Sequence, residues 1–259
     1  MKYSLMSYSF RRLFEAGEMD IFRYIAWCKE KGFSQLDPWN AHLAAGYEDD
    51  RFIARVKAAA QDAHLPFGCI AVDGAHIYEP TEAARAANRE VAYRWIEISQ
   101  ALGANQIRID TGGPEEMPDD VFHIIVEGYN DLVPRARAAG IEVVVENHWG
   151  PTKFAANVIR VLDAVDGLGL LFDTNNWAEG TQEEAWEACA RYASISHVKT
   201  FEFDENGNDP TVNLAKAIRI LLDSGYDGVW GIESTPTDGD EIRAAEQTLA
   251  LLKRELGDA

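Results

Sequence analysis

Residues 141–148 read IEVVVENH, a short β-branched apolar run closed by a carboxylate, Glu146. Three later stretches repeat the design. LGLLFDT at 168–174 closes on Asp173, ISHVKTF at 195–201 carries His197, and GVWGIES at 228–234 closes on Glu233. The four residues lie about 24–36 positions apart, the length of a strand–helix unit, and helical patterns fill the intervals. Strands joined by helical crossovers run parallel, so side chains at their C-terminal ends meet at one end of one sheet. Three carboxylates and an imidazole that meet repel one another unless a cation sits between them. The pattern therefore predicts a site for one divalent metal ion.

The same alternation extends over the whole chain. Strands are predicted at Tyr3–Ser9, Phe33–Trp39, Pro66–Asp73, Gln106–Thr111, Ile141–His148, Gly169–Thr174, Ile195–Phe201 and Val229–Ser234. Helices are predicted at about 20–31, 49–63, 81–102, 119–139, 153–165, 182–192, 211–224 and 239–255. Gly32, Gly103, Gly140, Gly167 and Gly225 each stand between a helix and the next strand, where a helix C-terminus favours positive φ. Eight uninterrupted strand–helix units in 259 residues predict a (β/α)8 TIM barrel, a single α/β domain spanning 1–259.

Alternation along each strand assigns the faces. Ile107 and Ile109, Val143 and Val145, Phe172, Val198 and Leu36 form an aliphatic set that suits the outer helices. Their neighbours Gln106, Arg108, Asp110, Glu146, His148, Asp173, His197, Lys199, Gln35, Asp37 and Trp39 then point into the barrel near its C-terminal mouth, where active sites of this architecture lie. An oxygen-rich ligand set with one imidazole suits Mn²⁺ best and also accommodates Mg²⁺, Co²⁺ or Zn²⁺. Arg108 and Lys199 are suited to meet a substrate oxygen, and His148 is a candidate second acid or base. Trp39, Trp149 and Trp177 each follow a strand end, where aromatic faces suit the C–H faces of a sugar.

Composition narrows the partners. The formal net charge is −19, with 43 acidic against 24 basic residues, which opposes nucleic acid and anionic membrane surfaces. Cys28, Cys69 and Cys189 are widely spaced and show no metal or redox motif. Neither a signal-peptide pattern nor a membrane-length apolar run is present, and the expected location is cytoplasmic.

The stretches VVVENHWG, LLFDTNNW, SHVKTFEFDENG and GYDGVWGIES resemble the xylose isomerase-like TIM-barrel superfamily of sugar phosphate isomerases and epimerases. The resemblance covers most of the chain and is strongest from Ile141 to Ser234. In its tagatose 3-epimerase-like branch, Glu, Asp, His and Glu on the last four strands hold the metal, and these fall on Glu146, Asp173, His197 and Glu233. The implied reaction is proton abstraction beside a carbonyl through a metal-stabilised enediolate, with Glu146 and Glu233 as the catalytic acid–base pair. Asn176, three residues after Asp173, resembles a position that contacts substrate hydroxyls. The resemblance further implies a homodimer or homotetramer acting on a small sugar or polyol. One departure matters: the epimerases carry a Glu six residues after the first metal Glu, and this chain has Thr152. A dehydratase or lyase acting on a keto-sugar or keto-inositol therefore stands beside the isomerase or epimerase. A non-catalytic sugar-binding barrel and a hydrolase of the endonuclease IV type are the competing classes. The charge and the scarcity of strand-end histidines oppose the latter.

Overall fold

The computed structural model describes residues 1–258. Eight parallel strands run β1 (Tyr3–Met6), β2 (Gln35–Asp37), β3 (Cys69–Val72), β4 (Gln106–Ile109), β5 (Glu142–Glu146), β6 (Leu168–Asp173), β7 (Ala193–Thr200) and β8 (Trp230–Ser234). Their order around the sheet is β2-β1-β8-β7-β6-β5-β4-β3. Two isolated bridges, Leu36 with Phe67 and Trp39 with Ala71, close β2 onto β3. Helices α1 (Arg11–Glu15), α2 (Ile21–Lys31), α3 (Asp50–Ala63), α4 (Glu82–Leu102), α5 (Asp119–Ala138), α6 (Ala155–Ala164), α7 (Gln182–Cys189), α8 (Leu214–Asp223) and α9 (Glu241–Glu255) complete the (β/α)8 TIM barrel. No described helix is long and apolar enough to cross a membrane.

The aliphatic face of each strand meets the helices as expected. Leu36, Ile107, Ile109, Val143, Val145, Phe172 and Val198 all belong to the large cluster between strands and helices. A second, small cluster of Cys69, Val144, Leu171 and Ile195 lies inside the barrel. Three of its members sit two positions before Glu146, Asp173 and His197, so they form an apolar floor directly beneath those residues.

Local chemistry explains the boundaries. Asp20 caps α2 through the amides of Phe22 and Arg23, and Thr81 caps α4 through that of Ala84. Gly32 and Gly103 end these helices at φ 78° and 80°. The first strand is shorter than its sequence pattern because Ser7 and Ser9 replace ladder bonds with side-chain ones. Ser7 Oγ accepts from the Trp39 amide at 2.9 Å, and Ser9 Oγ from the Ser234 amide at 3.0 Å. The chain meanwhile turns into a 3-10 segment, Ser7–Phe10. The short α1 that comes next has no counterpart in the helical patterning of the sequence. It is pinned by Glu241, whose carboxylate accepts from the Arg12 and Leu13 amides at 3.1 and 3.2 Å.

Candidate metal centre

Glu146, Asp173, His197 and Glu233 each offer one ligand atom, and these atoms all lie within 4.8 Å of one another. All four residues are buried. The register explains the convergence: Asp173 stands opposite His197, and Glu233 opposite the neighbouring inward residue Lys199. His197 Nδ1 lies 3.2 Å from Glu146 Oε1 and 3.0 Å from Glu233 Oε2. Room for the imidazole comes from Gly231 across the pair, where a Cβ would meet the Ser196 carbonyl at 2.4 Å and the ring at 3.2 Å.

Each carboxylate has a distinct second face. Glu233 Oε1 is 2.7 Å from Lys199 Nζ. Glu146 Oε2 is 3.4 Å from Arg108 Nε and 3.9 Å from His148 Nδ1. Asp173 Oδ1 accepts from the Asn175 and Asn176 amides at 2.7 and 3.0 Å. Its other oxygen, Oδ2, is buried with no hydrogen-bond partner among the described residues. Among the described residues only the Lys199 ammonium, 3.9 Å away, answers this buried oxygen, and a carboxylate oxygen so weakly met is costly, so the group fits a divalent ion.

The charges answer one another. Burial pushes Glu233 up, yet Lys199 and His197 hold its carboxyl well below the usual range. Burial likewise opposes charge on His197, but its bonds to Glu146 and Glu233 push it up to about 10. Asp173 is pushed up to about 6, chiefly by burial. Burial works against protonation of His148 too, and Glu146 and Asp110 together bring it up to about 9. Asp110 is held below its ordinary value against burial, chiefly by Arg108.

The expected substrate-binding residues separate into those near this centre and those apart from it. Lys199 Nζ lies 3.2 Å from Asn176 Oδ1, and Asn176 Nδ2 lies 3.5 Å from Glu146 Oε1. Arg108, His148 and Trp149 gather on Asp110, with Oδ2 at 2.5, 3.0 and 3.2 Å from their nitrogens. Trp39 reaches this group through Asp73: its Nε1 donates to Oδ2 at 2.8 Å, and Arg108 donates to Oδ1 at 3.1 Å. Asp37 is spent at the β2–β3 seam, where Oδ1 accepts from Gln35 and from the Cys69 amide at 3.0 and 2.9 Å. Trp177 is buried edge-to-face against Phe172, on the outward side of β6.

Three contributors escape the sequence pattern. Asn147 ties two ligand strands together, Gly231 makes room for His197, and Asp73 links Trp39 to Arg108. Parity places Asn147 off the inward face, which is why alternation alone passes over it. The strand pattern GVWGIE does place a glycine two positions before Glu233.

Comparison with known proteins agrees with this architecture. The chain is similar to the IOLI protein crystallised with a bound zinc atom, with TM-score 0.82 and 15% identity over 98% of this chain and 99% of that one. It is also similar to an L-ribulose 3-epimerase, with TM-score 0.80 and 16% identity over 100% and 95% of the two chains. In sequence it is 31% identical over 134 residues to the inosose dehydratase of Serratia proteamaculans (strain 568). That match spans 48% of this chain and 43% of the relative, less than half of either. The model of the family described as xylose isomerase-like TIM barrel matches residues 25–255, and the chain belongs to that family.

Proposed function

We propose that the protein is a divalent-metal-dependent enzyme that removes a proton from the carbon beside a carbonyl of a small sugar or polyol derivative. One observation carries this reading. Glu146 and Glu233 both approach His197 Nδ1, at 3.2 and 3.0 Å, each with its second oxygen facing a cationic side chain. Two ionised carboxylates that converge on one small space suit removal of a proton by one and its return by either. A divalent cation held by Glu146, Asp173, His197 and Glu233 supplies Lewis acidity for the charge that builds on the carbonyl oxygen. Lys199 holds Glu233 ionised as a base, and His148 and His197, with a smaller contribution from Arg108, do the same for Glu146 against its burial. Lys199 and Asn176 together present a donor and an amide to substrate hydroxyls. The apolar floor excludes water from beneath the site and strengthens these interactions.

Elimination is the second reading, and His148 favours it over epimerisation. Asp110 holds its Nδ1 at 3.0 Å, and the ring stays protonated up to about pH 9. An acid on the Glu146 side is what a departing hydroxide needs once the α-proton has gone. Thr152 stands where epimerases of the family carry Glu. It is buried, accepts from the His148 amide at 3.2 Å, and donates to the Trp149 carbonyl at 3.1 Å. It thus shapes the His148 loop. The partial relative described as an inosose dehydratase supports the same fate.

The test is incubation of Mn²⁺-, Mg²⁺-, Co²⁺- or Zn²⁺-loaded protein in heavy water with ketohexoses and a keto-inositol, and then mass spectrometry. Deuterium at the α-carbon, abolished in Glu233→Gln, is the expected result. No exchange with any metal or substrate class, in protein that retains its metal, overturns the proposal.

A further inference from the structure

His197 faces the metal centre with one nitrogen only. Its Nδ1 lies 3.2 Å from Glu146 Oε1 and 3.0 Å from Glu233 Oε2. An imidazole that ligates an ion through Nδ1 is neutral and carries its proton on Nε2. Metal-binding histidines almost always donate that second N–H to a carboxylate, a carbonyl or a water, which fixes the tautomer and the ring. Nε2 is bonded to Cδ2, and that edge of the ring is turned to Gly231, where a Cβ would stand 3.2 Å from Cδ2. The same Cβ would stand 3.3 Å from Ser4 Oγ, so the ring edge and the Ser4 hydroxyl border one gap that the glycine leaves open.

The strand register builds this gap. Ser4 of β1 stands opposite Gly231, and Gly231 stands opposite His197. On the other side of β1, Ser4 stands opposite Gln35, whose Nε2 donates to Asp37 Oδ1 at 3.0 Å. Tyr3, Leu5 and Leu36 belong to the outer cluster, so Ser4, Gln35 and Asp37 point into the barrel. The β2–β3 seam uses only one oxygen of Asp37. Its Oδ2 and Ser4 Oγ are both buried without a hydrogen-bond partner among the described residues. Burial raises the Asp37 carboxyl above its ordinary value, and the Ser4 hydroxyl and the His197 charge are both close enough to oppose that rise.

We infer that Ser4 and Asp37 form a relay behind His197 in the metal-bound protein, in which the imidazole Nε2–H donates to Ser4 Oγ and the Ser4 hydroxyl donates to Asp37 Oδ2. This rests on the reading of Glu146, Asp173, His197 and Glu233 as a metal site. The relay gives both unmet oxygens a partner. It also keeps the imidazole proton on Nε2, which leaves the Nδ1 lone pair for the ion. Ser4 and Asp37 are thus positioning residues, acting on the ion through His197. Gly231 gains a second use, because a side chain there would stand between the ring edge and Ser4.

The experiment is titration of the chain with Zn²⁺, joined to NMR of the Zn²⁺-loaded protein labelled with heavy nitrogen in its histidines. The native chain is compared with Ser4→Ala, Asp37→Asn and Gln35→Ala, and the His197 signal is assigned by its loss in His197→Gln. In the native protein the His197 proton should sit on Nε2 and exchange slowly with water. Ser4→Ala removes a hydroxyl that has no partner in the metal-free chain, so unfolding without metal should be unchanged. Its Zn²⁺ affinity should nevertheless fall about ten-fold or more, and its Nε2 proton should exchange faster. Asp37→Asn keeps an oxygen for Gln35 and the Cys69 amide but offers Ser4 no second acceptor, and it should show the same two changes. Gln35→Ala loosens the seam without entering the relay and should lower stability alone. Native affinity and native proton exchange in Ser4→Ala overturn the inference, whether or not Asp37→Asn folds. A chain that takes up no Zn²⁺ overturns it together with the metal-site reading. Zn²⁺ binding that depends on Ser4, without deuterium exchange on any substrate, removes the proposed chemistry and upholds the relay.

Discussion

Asn147 and Asp173 are joined by two hydrogen bonds. The Asn147 carboxamide donates to the Asp173 carbonyl at 2.9 Å and accepts from the Asp173 amide at 2.8 Å. The backbone register between β5 and β6 extends only as far as Glu146 opposite Leu171, so this side chain carries the pairing onward to the second ligand. It fixes the spacing of two carboxylates of the candidate metal-binding group. Asn147→Ala would leave a buried amide and a buried carbonyl unpaired, at about 1–3 kcal/mol for each group. The expected outcome is a lower unfolding temperature and metal affinity reduced about 10–100-fold. Equilibrium dialysis against Mn²⁺ or Zn²⁺ checks this. Unchanged affinity in a folded variant would show that the strand spacing does not depend on this link.

Metal binding should release protons. Without an ion, His197 keeps its proton up to about pH 10, and it can ligate only after losing it. Asp173, pushed up to about 6 by burial, adds a second proton at lower pH. Affinity should therefore fall as pH falls. About one proton should be released per ion at pH 8, and between one and two near pH 6. Calorimetry in buffers of differing ionisation enthalpy counts them directly. Glu146→Gln with Asp173→Asn should abolish binding, and an equal affinity at pH 6 and 8 would contradict the ligand assignment.

The barrel and the clustering of Glu146, Asp173, His197 and Glu233 were legible because both obey period two. Strands of one parity put Glu146, Asp173, His197 and Glu233 on a common face, and the structure brings them within 4.8 Å. Parity says which way a side chain leaves the strand, not what it meets there. Asp37 has the inward parity, but the barrel closes beside it and the Cys69 amide takes its carboxylate. Trp177 comes after a strand end like Trp149. However, its amide bonds back to the Asn175 carbonyl at 2.7 Å, and the ring packs on the outward Phe172. Asn147 has the wrong parity for the mouth and acts sideways, along the sheet. Contacts made across a seam, around a tight turn or between neighbouring strands depend on register, which a single strand's pattern does not contain.

If the reaction is the elimination proposed above, a change at His148 should separate proton abstraction from the later loss of hydroxide. The contacts of His148 are Asp110 and the far side of Glu146, away from the Glu233–Lys199 pair. With a keto-inositol, His148→Gln should keep deuterium exchange within about ten-fold while slowing formation of the conjugated elimination product about 10²–10⁴-fold. Mass spectrometry tracks the first process and ultraviolet absorbance the second. Equal loss of both would place His148 in the abstraction step instead.

Lys199→Met should have the opposite signature. It removes the cation that holds Glu233 ionised, 2.7 Å away, so the carboxyl's pKa should rise. Exchange and elimination should then fall together, and the acid limb of the pH–rate profile should move to higher pH. A profile that falls in amplitude without shifting would assign Lys199 to substrate contact alone.

His42 should make stability depend on pH independently of the metal centre. Burial pushes its imidazole down to about 4, below the ordinary value of 6.5. Between those values the unfolded chain holds the proton and the folded one does not, so acid favours unfolding. The contribution is complete above pH 6.5 and is lost progressively as pH falls toward 4. His42→Asn keeps an acceptor for Ser7 but cannot titrate. The wild-type midpoint in urea should fall further than the variant's between about pH 7 and 4.5, with the two curves converging in slope at higher pH. Parallel curves throughout would mean that the ring titrates in the fold as it does in the unfolded chain.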